Sequence, residues 1–416
     1  MLVELYGENF GCFQDEFRLS MIASNKIDPR SNRGIIEVPI QGQKKPLRLL
    51  RSVAIYGPNA SGKSTIIRAA LALHWLIHHG STLQSDAPID SYHPFALNSA
   101  KQKPCRLGIT AVIKQHVYNY EIQFNHEKFL SEQLTQINPD NTLLTLFDRQ
   151  NKTITGQWTD NSQFNLITQD FRPNALILAL ADRFTPKLTK KIAVYLQKLL
   201  PNIVDFTAIS DESFFQSSPI PKRIYGDSSL QKWMLEHLKF ADIGVTEIEN
   251  LDPIPIEKTD RFTFPFLLKH RGLNNNAISI PYHHESRGTH QIIRLSPYLY
   301  DIIHDSTPST LFTDEINNSL HPILLQGILR YFNCELPITK IHGQLIFTTH
   351  DTSLLDDQAQ DAILRRDQIY FTEKDSQGRA SLYSVADFKE RQVHNIGQRY
   401  LQGRYGAIPA LGSFGE

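Results

Sequence analysis

The octapeptide Gly57-Pro58-Asn59-Ala60-Ser61-Gly62-Lys63-Ser64 constrains this chain more than any other segment. It fits G-x-x-x-x-G-K-[ST], and its flanks suit the pattern: Leu50 to Tyr56 reads as a buried strand, Ser64 to Ile77 as an apolar helix. Gly57 and Gly62 let the backbone turn with its amides inward, so that N–H groups and the positive end of the helix surround a β-phosphate. Lys63 then places a point charge between the β- and γ-phosphates, and the Ser64 hydroxyl suits Mg²⁺. The predicted nucleotide contacts are Gly57, Asn59, Ala60, Ser61, Gly62, Lys63, Ser64 and Thr65, with ATP and Mg²⁺ as cofactors.

The partners of this loop come far downstream. Ser309-Thr310-Leu311-Phe312-Thr313 is a β-rich run that ends in Asp314 and Glu315, and Asn317-Asn318-Ser319-Leu320-His321-Pro322 breaks before the next helix. A strand ending in Asp delivers a carboxylate to the Mg²⁺ shell, and a carboxylate one residue on can polarise the water that attacks the γ-phosphate. Adjacent acids also suit a solvated helix N-terminus, but the strand before them and the break after them disfavour it. A further strand, Gln344 to Thr349, ends in His350-Asp351. Ligands of open α/β sheets bind at the carboxyl ends of strands, so His350 joins Glu315 and Lys63 as a catalytic candidate.

Glu285-Ser286-Arg287-Gly288-Thr289 precedes an apolar helix, Gln291 to Ile303. In isolation Ser286 reads as an N-cap. Ahead of the Asp-Glu strand, the segment resembles the signature motif of ABC-class ATPases, which contacts the γ-phosphate held by the other protomer. The whole chain resembles ABC-class ATPases of the SMC, RecF and OLD branch, and more closely the compact AAA-labelled bacterial ATP-binding proteins that include RloA and AbiLi of phage-defence loci. Besides the motifs above, the segments carrying this likeness are Ala241-Asp242-Ile243-Gly244-Val245, Asp314 to Pro322, Thr348 to Asp351, Leu364 to Lys374 and Tyr400 to Pro409, with Asn9-Phe10-Gly11-Cys12-Phe13 as the opening motif.

The resemblance implies an α/β, ABC-type (SMC-head-like) P-loop NTPase with a two-lobed sheet core, an antiparallel β meander and a short helical insert. It implies an ATPase that dimerises, or assembles further, around Mg-ATP, with Ser286, Gly288 and Thr289 contacting the nucleotide in trans. It also implies a regulatory role in anti-phage defence with a separate, nuclease-type effector. The alternative is a DNA-maintenance ATPase in the manner of RecF-type relatives, so nucleic acid stays open as a partner. Arg287 departs from the acidic or small residue common at its position. Gln84 lies near the place of the family's Q-loop glutamine, but Tyr92-His93-Pro94-Phe95-Ala96-Leu97 is what resembles the family there, and that role stays unassigned.

In a chain of 416 residues, 43 basic and 43 acidic side chains cancel, so no global field recruits nucleic acid or membrane. Cys12, Cys105 and Cys334 lack metal spacing and read as reduced thiols. No stretch approaches the ~18 apolar residues of a membrane helix, and Met1 to Leu5 runs into a strand instead of a signal peptide, so a cytoplasmic location is expected.

Three regions are expected: 1–165, with the phosphate loop and a meander visible as alternation in Cys105 to Val112 and Val117 to Phe124; 166–255, a helical insert; and 256–416, with the signature, Asp314, Glu315 and His350. The insert's amphipathic segments are Pro186 to Leu200 and Leu230 to Ala241. Without sustained heptads it reads either as a docking surface or as a cap completing the core. Arg365 and Arg366 read as an exposed, solvated pair, and Arg404 and Tyr405, between glycines, as types suited to an interface. His283-His284-Glu285 and His126-Glu127-Lys128 lack the spacing of metal ligands, and no nuclease core accompanies Asp314 and Glu315.

Overall fold

The computed structural model describes residues 1–24, 33–80, 83–169, 171–183, 192, 194, 196, 202–204, 214–215, 218–241, 244–256, 259–272, 276–304, 309–333, 343–355, 362–388 and 395–409. The expected helix Pro186 to Leu200, most of whose residues are excluded, as well as Asp242, Ile243 and Cys334, lies outside the described residues.

The chain opens with β1 (Leu2–Glu8), β2 (Phe17–Ser20) and the pair β3 (Ile35–Val38) and β4 (Leu47–Leu50), then β5 (Ser52–Tyr56) and helix α1 (Lys63–His79). Next comes a meander of β6 (Cys105–Ile113), β7 (His116–Phe124), β8 (Phe129–Ile137), β9 (Leu143–Gln150) and β10 (Thr153–Thr155), followed by α2 (Ser162–Thr168) and β11 (Asn202–Val204). Helices α3 (Ile220–Gly226) and α4 (Ser228–Phe240) lead to β12 (Val245–Asn250), the hairpin β13 (Ile254–Pro255) and β14 (Phe262–Thr263), then β15 (Phe266–Arg271) and β16 (Ala277–Pro281). The last part holds α5 (Arg287–His304), β17 (Thr310–Thr313), α6 (Pro322–Phe332), β18 (Gln344–Thr348), β19 (Ile369–Lys374), β20 (Ala380–Ser384) and α7 (Ile396–Leu401).

Two sheets organise the molecule. The meander joins the N-terminal strands in an antiparallel seven-stranded sheet, β10-β9-β8-β7-β6-β1-β2. Its alternation is the one the sequence announces: Tyr118, Tyr120, Ile122 and Phe124 of β7 are buried while their neighbours are half-exposed. A six-stranded sheet runs β11-β17-β18-β5-β19-β20, parallel except for the last pair. Its central strand β5 is buried along its length, as a strand covered on both faces must be.

The period of two along β5 shows which layer covers which face. Val53 and Ile55 pack with Ile66 and Leu73 of α1 and with Leu107 and Ile122 of the antiparallel sheet, so α1 lies in the core shared by the two sheets. Ala54 and Tyr56 pack on the other side with Leu238 of α4, Ile293 and Leu299 of α5 and Leu329 of α6. Burying each of the Val, Ile and Leu side chains stabilises by about 1.5–3 kcal/mol. Gln344, at the start of β18, accepts from Leu2 N at 2.7 Å and donates to Leu2 O and Leu50 O at 3.0 and 3.1 Å, fastening β1 to the parallel sheet.

Several elements differ from the sequence reading. Leu50 ends β4, and Arg51 separates it from β5; α1 extends past Ile77 to His79. Strand β11, from the stretch expected to be helical, pairs with β17 as the edge of the parallel sheet. Arg365 is not solvated: it is 2% exposed and grips Asp367 through two hydrogen bonds of 2.9 Å, a pairing that offsets part of the cost of burying its charge. Tyr405 is likewise core, stacked on Phe371 at 5.6 Å, and is unavailable to a partner, whereas Arg404 is exposed. No described helix is long and apolar enough to cross a membrane.

Candidate nucleotide-binding site

The phosphate loop joins β5 to α1 and is shaped by backbone that favours glycine. Gly57 has φ 152° and Gly62 φ 117°, with Ala60 between them at φ 60°. A Cβ on Gly57 would lie 2.5 Å from Thr372 O, and one on Gly62 3.0 Å from Cys12 Sγ, so sterics as well as dihedrals reserve both positions. Thr372 of β19 also meets Ser61, hydroxyl to hydroxyl, at 2.5 Å and donates to Tyr56 O at 3.2 Å. The opening motif supports the far side of the loop, with Cys12 Sγ 3.4 Å from Thr65 Oγ1.

Helix α1 begins at Lys63 with no side-chain cap and no acid in its first turn. Thr65 N and Ile66 N donate to Gly62 O, so the amides before them are the ones left for an anion, with no acid of the helix's own first turn competing for them. Lys63 Nζ folds over the loop and donates to Gly57 O at 2.9 Å and Pro58 O at 3.0 Å. Burial lowers its pKa from the usual lysine range, while the charges of Asp314 and Glu315 work in the opposite direction.

Parallel register brings the other candidates to the same edge. Thr313 pairs with Phe347 and Thr348 with Ile55, so β17, β18 and β5 deliver Asp314, His350 and the loop from adjacent strand ends. Thr348, fully buried, joins them: its hydroxyl donates to Asp314 Oδ1 and accepts from Glu315 N at 2.7 Å. Glu315 takes φ 47°, a left-handed turn that is costly outside glycine. Thr349 Oγ1 donates to Asn317 Oδ1 at 2.9 Å, holding the segment after the carboxylates against the His350 strand. Burial is the main cause that lowers the His350 pKa below the ordinary histidine value, and Lys63 adds to it; Glu315 and Asp314 oppose. Lys63, Asp314, Glu315 and His350 thus share one electrostatic neighbourhood.

The Ser286 segment is built separately. Ser286 caps α5, its Oγ accepting from Thr289 N at 3.1 Å and meeting Thr289 Oγ1 at 2.9 Å. Gly288 faces Ser319 O, 3.0 Å from where a Cβ would stand. The loop that starts with the two carboxylates therefore ends against the start of α5. Arg287 is exposed beside this cap. Behind it, Tyr282 stacks on His290 at 4.1 Å and accepts from Arg294 at 2.9 Å, while Glu285 pairs with His270 at 2.7 Å.

The donor set fits Mg²⁺. That ion keeps several waters and takes one or two protein oxygens plus phosphate oxygens, which matches one hydroxyl and one carboxylate, Ser64 and Asp314. Among the described residues no group of three or more His, Cys, Asp or Glu side chains is gathered to hold a metal unaided. Sequence reasoning missed Thr348, Thr372 and Asn317. Threonines at strand ends are common, and only register shows which of them meet the candidate catalytic groups.

A β-strand, glycine loop and helix beside strands that end in carboxylates and histidine define a P-loop nucleotide-binding ATPase domain of the α/β class. The chain belongs to the family described as "AAA domain, putative AbiEii toxin, Type IV TA system", whose profile matches residues 52–356. No curated protein matches it. Among solved structures it is similar to an SMC head domain from Thermotoga maritima, at 13% identity and a TM-score of 0.39 over 92% of this chain and 98% of that one. It is also similar to the recombination mediator protein RecF bound to ATPγS, described in the RecFOR pathway, at 10% identity and a TM-score of 0.37 over the same shares of each chain.

Proposed function

We propose that this protein is an ABC-type ATPase that hydrolyses ATP between two protomers and serves as the regulatory ATPase of an anti-phage system acting with a separate effector. The observation that carries the hydrolytic part is the Thr348 hydroxyl, which ties Asp314 and Glu315 together at the strand edge shared with Lys63 and His350. Ser64 and Asp314 would hold Mg²⁺, which when bound neutralises charge on the phosphates.

Lys63 leaves the carbonyls of Gly57 and Pro58 for the phosphate oxygens, exchanging two neutral acceptors for charged ones. Gly57, Asn59, Ala60, Ser61, Gly62 and Thr65 supply the loop around the phosphates. Glu315, whose backbone takes a left-handed turn at the strand end, orients the attacking water and accepts its proton. His350, held toward its neutral form, hydrogen-bonds the γ-phosphate or that water. Ser286, Gly288 and Thr289 of one protomer cap the nucleotide of the other, and hydrolysis dissolves the pair.

Glu315→Gln keeps nucleotide binding and loses about 10²-fold or more in turnover, because catalysis here is positioning plus charge stabilisation. Lys63→Ala loses binding itself. Phosphate release and calorimetric ATP titration check both; wild-type turnover in the first variant or wild-type affinity in the second overturns these roles. The defence role rests on the RloA and AbiLi resemblance, and the family's description as a putative toxin of a type IV system agrees with a conflict locus. Its test is purification from the host with ATP present. A stoichiometric nuclease-type protein surviving a salt wash supports it, and DNA-stimulated, salt-sensitive hydrolysis without a protein partner favours the DNA-maintenance alternative.

A further inference from the structure

Away from the phosphate loop, α3 and the hairpin β13–β14 enclose a cleft of about 410 Å³ whose walls include Phe215, Phe264 and Phe262, with Lys222, Asp260 and Arg261 among them. A two-stranded hairpin is marginal by itself and gains by hiding its apolar groups. This one leaves Phe262 51% exposed at the cleft. The two cations have no ion-pair partner among the described residues, although Asp260 adjoins Arg261. Rings and cations that have no ion-pair partner among the described residues line one cleft, an unusual surface for a chain whose overall charge is zero.

We propose that this cleft binds a phosphorylated nucleobase, either a free nucleotide or one nucleotide unit of a single strand. Aromatic faces stack bases with little regard for sequence, and cations beside them take the phosphate. Lys222 and Arg261 supply the charge, Phe262 is the accessible ring, and the Asp260 carboxylate accepts from an exocyclic amine or a sugar hydroxyl. The volume falls in the range of small-molecule sites. The floor is preformed: Phe215 is held edge-on by Tyr282 at 5.3 Å and beside Phe266 at 5.7 Å, and Phe264 packs on Tyr225 at 5.3 Å. A duplex keeps its bases stacked away from such a ring, and inorganic phosphate leaves the rings unused. A protein anchor would call for a drier pocket than one with three charged side chains in its wall.

The inference is independent of the hydrolysis reading, and its test silences the phosphate loop. Fluorescence anisotropy of a labelled oligothymidylate of about 20 nucleotides, and competition by thymidine monophosphate, are measured on Lys63→Ala protein at several salt concentrations. Binding is expected, weakened roughly 5- to 100-fold by adding Phe262→Ala. Adding Lys222→Ala instead reduces the salt slope by about one. Binding of the strand alone identifies the source as single-stranded nucleic acid; effective competition by the monophosphate identifies a free nucleotide. The proposal is overturned if neither probe binds, if neither substitution changes binding, or if duplex DNA binds equally well and is indifferent to Phe262→Ala. Phe262 and Lys222 are exposed, so loss of fold does not confound the readout.

Discussion

Thr348 shows how much of the proposed catalytic centre depends on a side chain that carries no charge. Its hydroxyl is both donor to Asp314 and acceptor for the Glu315 amide, so one buried group sets the direction of one carboxylate and the backbone of the next. Thr348→Val keeps the volume and removes both bonds. Stability is expected to fall by about 1–3 kcal/mol, the cost of leaving buried polar groups unpaired. Turnover should drop about tenfold or more while ATP affinity changes little, because the lost interactions orient the group proposed to activate water more than they would bind phosphate. Thermal denaturation, ATP titration and phosphate release together separate these effects. Unaltered turnover would reduce Thr348 to a packing residue.

Among the elements, α1 combines two demands. Its N-terminus carries no side-chain cap, as the proposed phosphate site requires, and its body must fill the space shared by the two sheets, which Ile66, Ala69, Ala70, Leu73 and Ile77 do. The cost shows at its far end. His74 is largely buried, its Nδ1 without a hydrogen-bond partner among the described residues, and burial, with smaller contributions from His78 and His79, pushes its pKa down to about 4. The unfolded chain takes up a proton on this residue near pH 6.5, whereas the folded chain refuses it until about pH 4. Stability therefore falls as pH drops through that window and is fully present above it. His74→Leu should flatten this acid limb and raise the melting temperature at about pH 5 relative to wild type, an expectation that equal slopes of Tm against pH would contradict. In the antiparallel sheet, Glu132 of β8 shows that burial of charge is managed here by pairing. Burial raises its pKa, but Arg149 lies 3.9 Å away and Tyr120, Ile177 N and Leu178 N all donate to it.

For the whole molecule, the two sheets share one core, and the loop from Asp314 to Ser319 links the strand edge with the candidate catalytic groups to the start of α5. If Ser286 and Gly288 close on a second protomer's nucleotide, that closure is a property of the assembly and not of the fold. Ser286→Arg in the Glu315→Gln background places a bulky charge at that junction. ATP is then expected to leave the protein monomeric by light scattering, where Glu315→Gln alone becomes a dimer, while calorimetry still records one ATP per chain. Dimerisation undiminished by Ser286→Arg would remove the segment from the interface.

The phosphate loop was legible because its chemistry is local. Glycine at two turns, lysine and serine at a helix start and an apolar strand before them lie within one short stretch, and their meaning needs no partner. The meander was legible for the same reason, since a side-chain period of two is written residue by residue along β6 and β7. Asp314, Glu315 and His350 could be nominated from the strand ends on which they fall. That they come to the sheet edge that carries the Lys63 loop, and that Thr348 bonds both Asp314 and Glu315, was decided by the register of β17 against β18 and β18 against β5, a relation between segments remote in the chain. Tertiary structure alone also turned Arg365 and Tyr405 from candidate surface into core, put β11 at the edge of the parallel sheet and gathered Lys222, Arg261 and Phe262 around one cleft. Burial and convergence depend on what the rest of the chain places opposite a residue, and no local pattern encodes that.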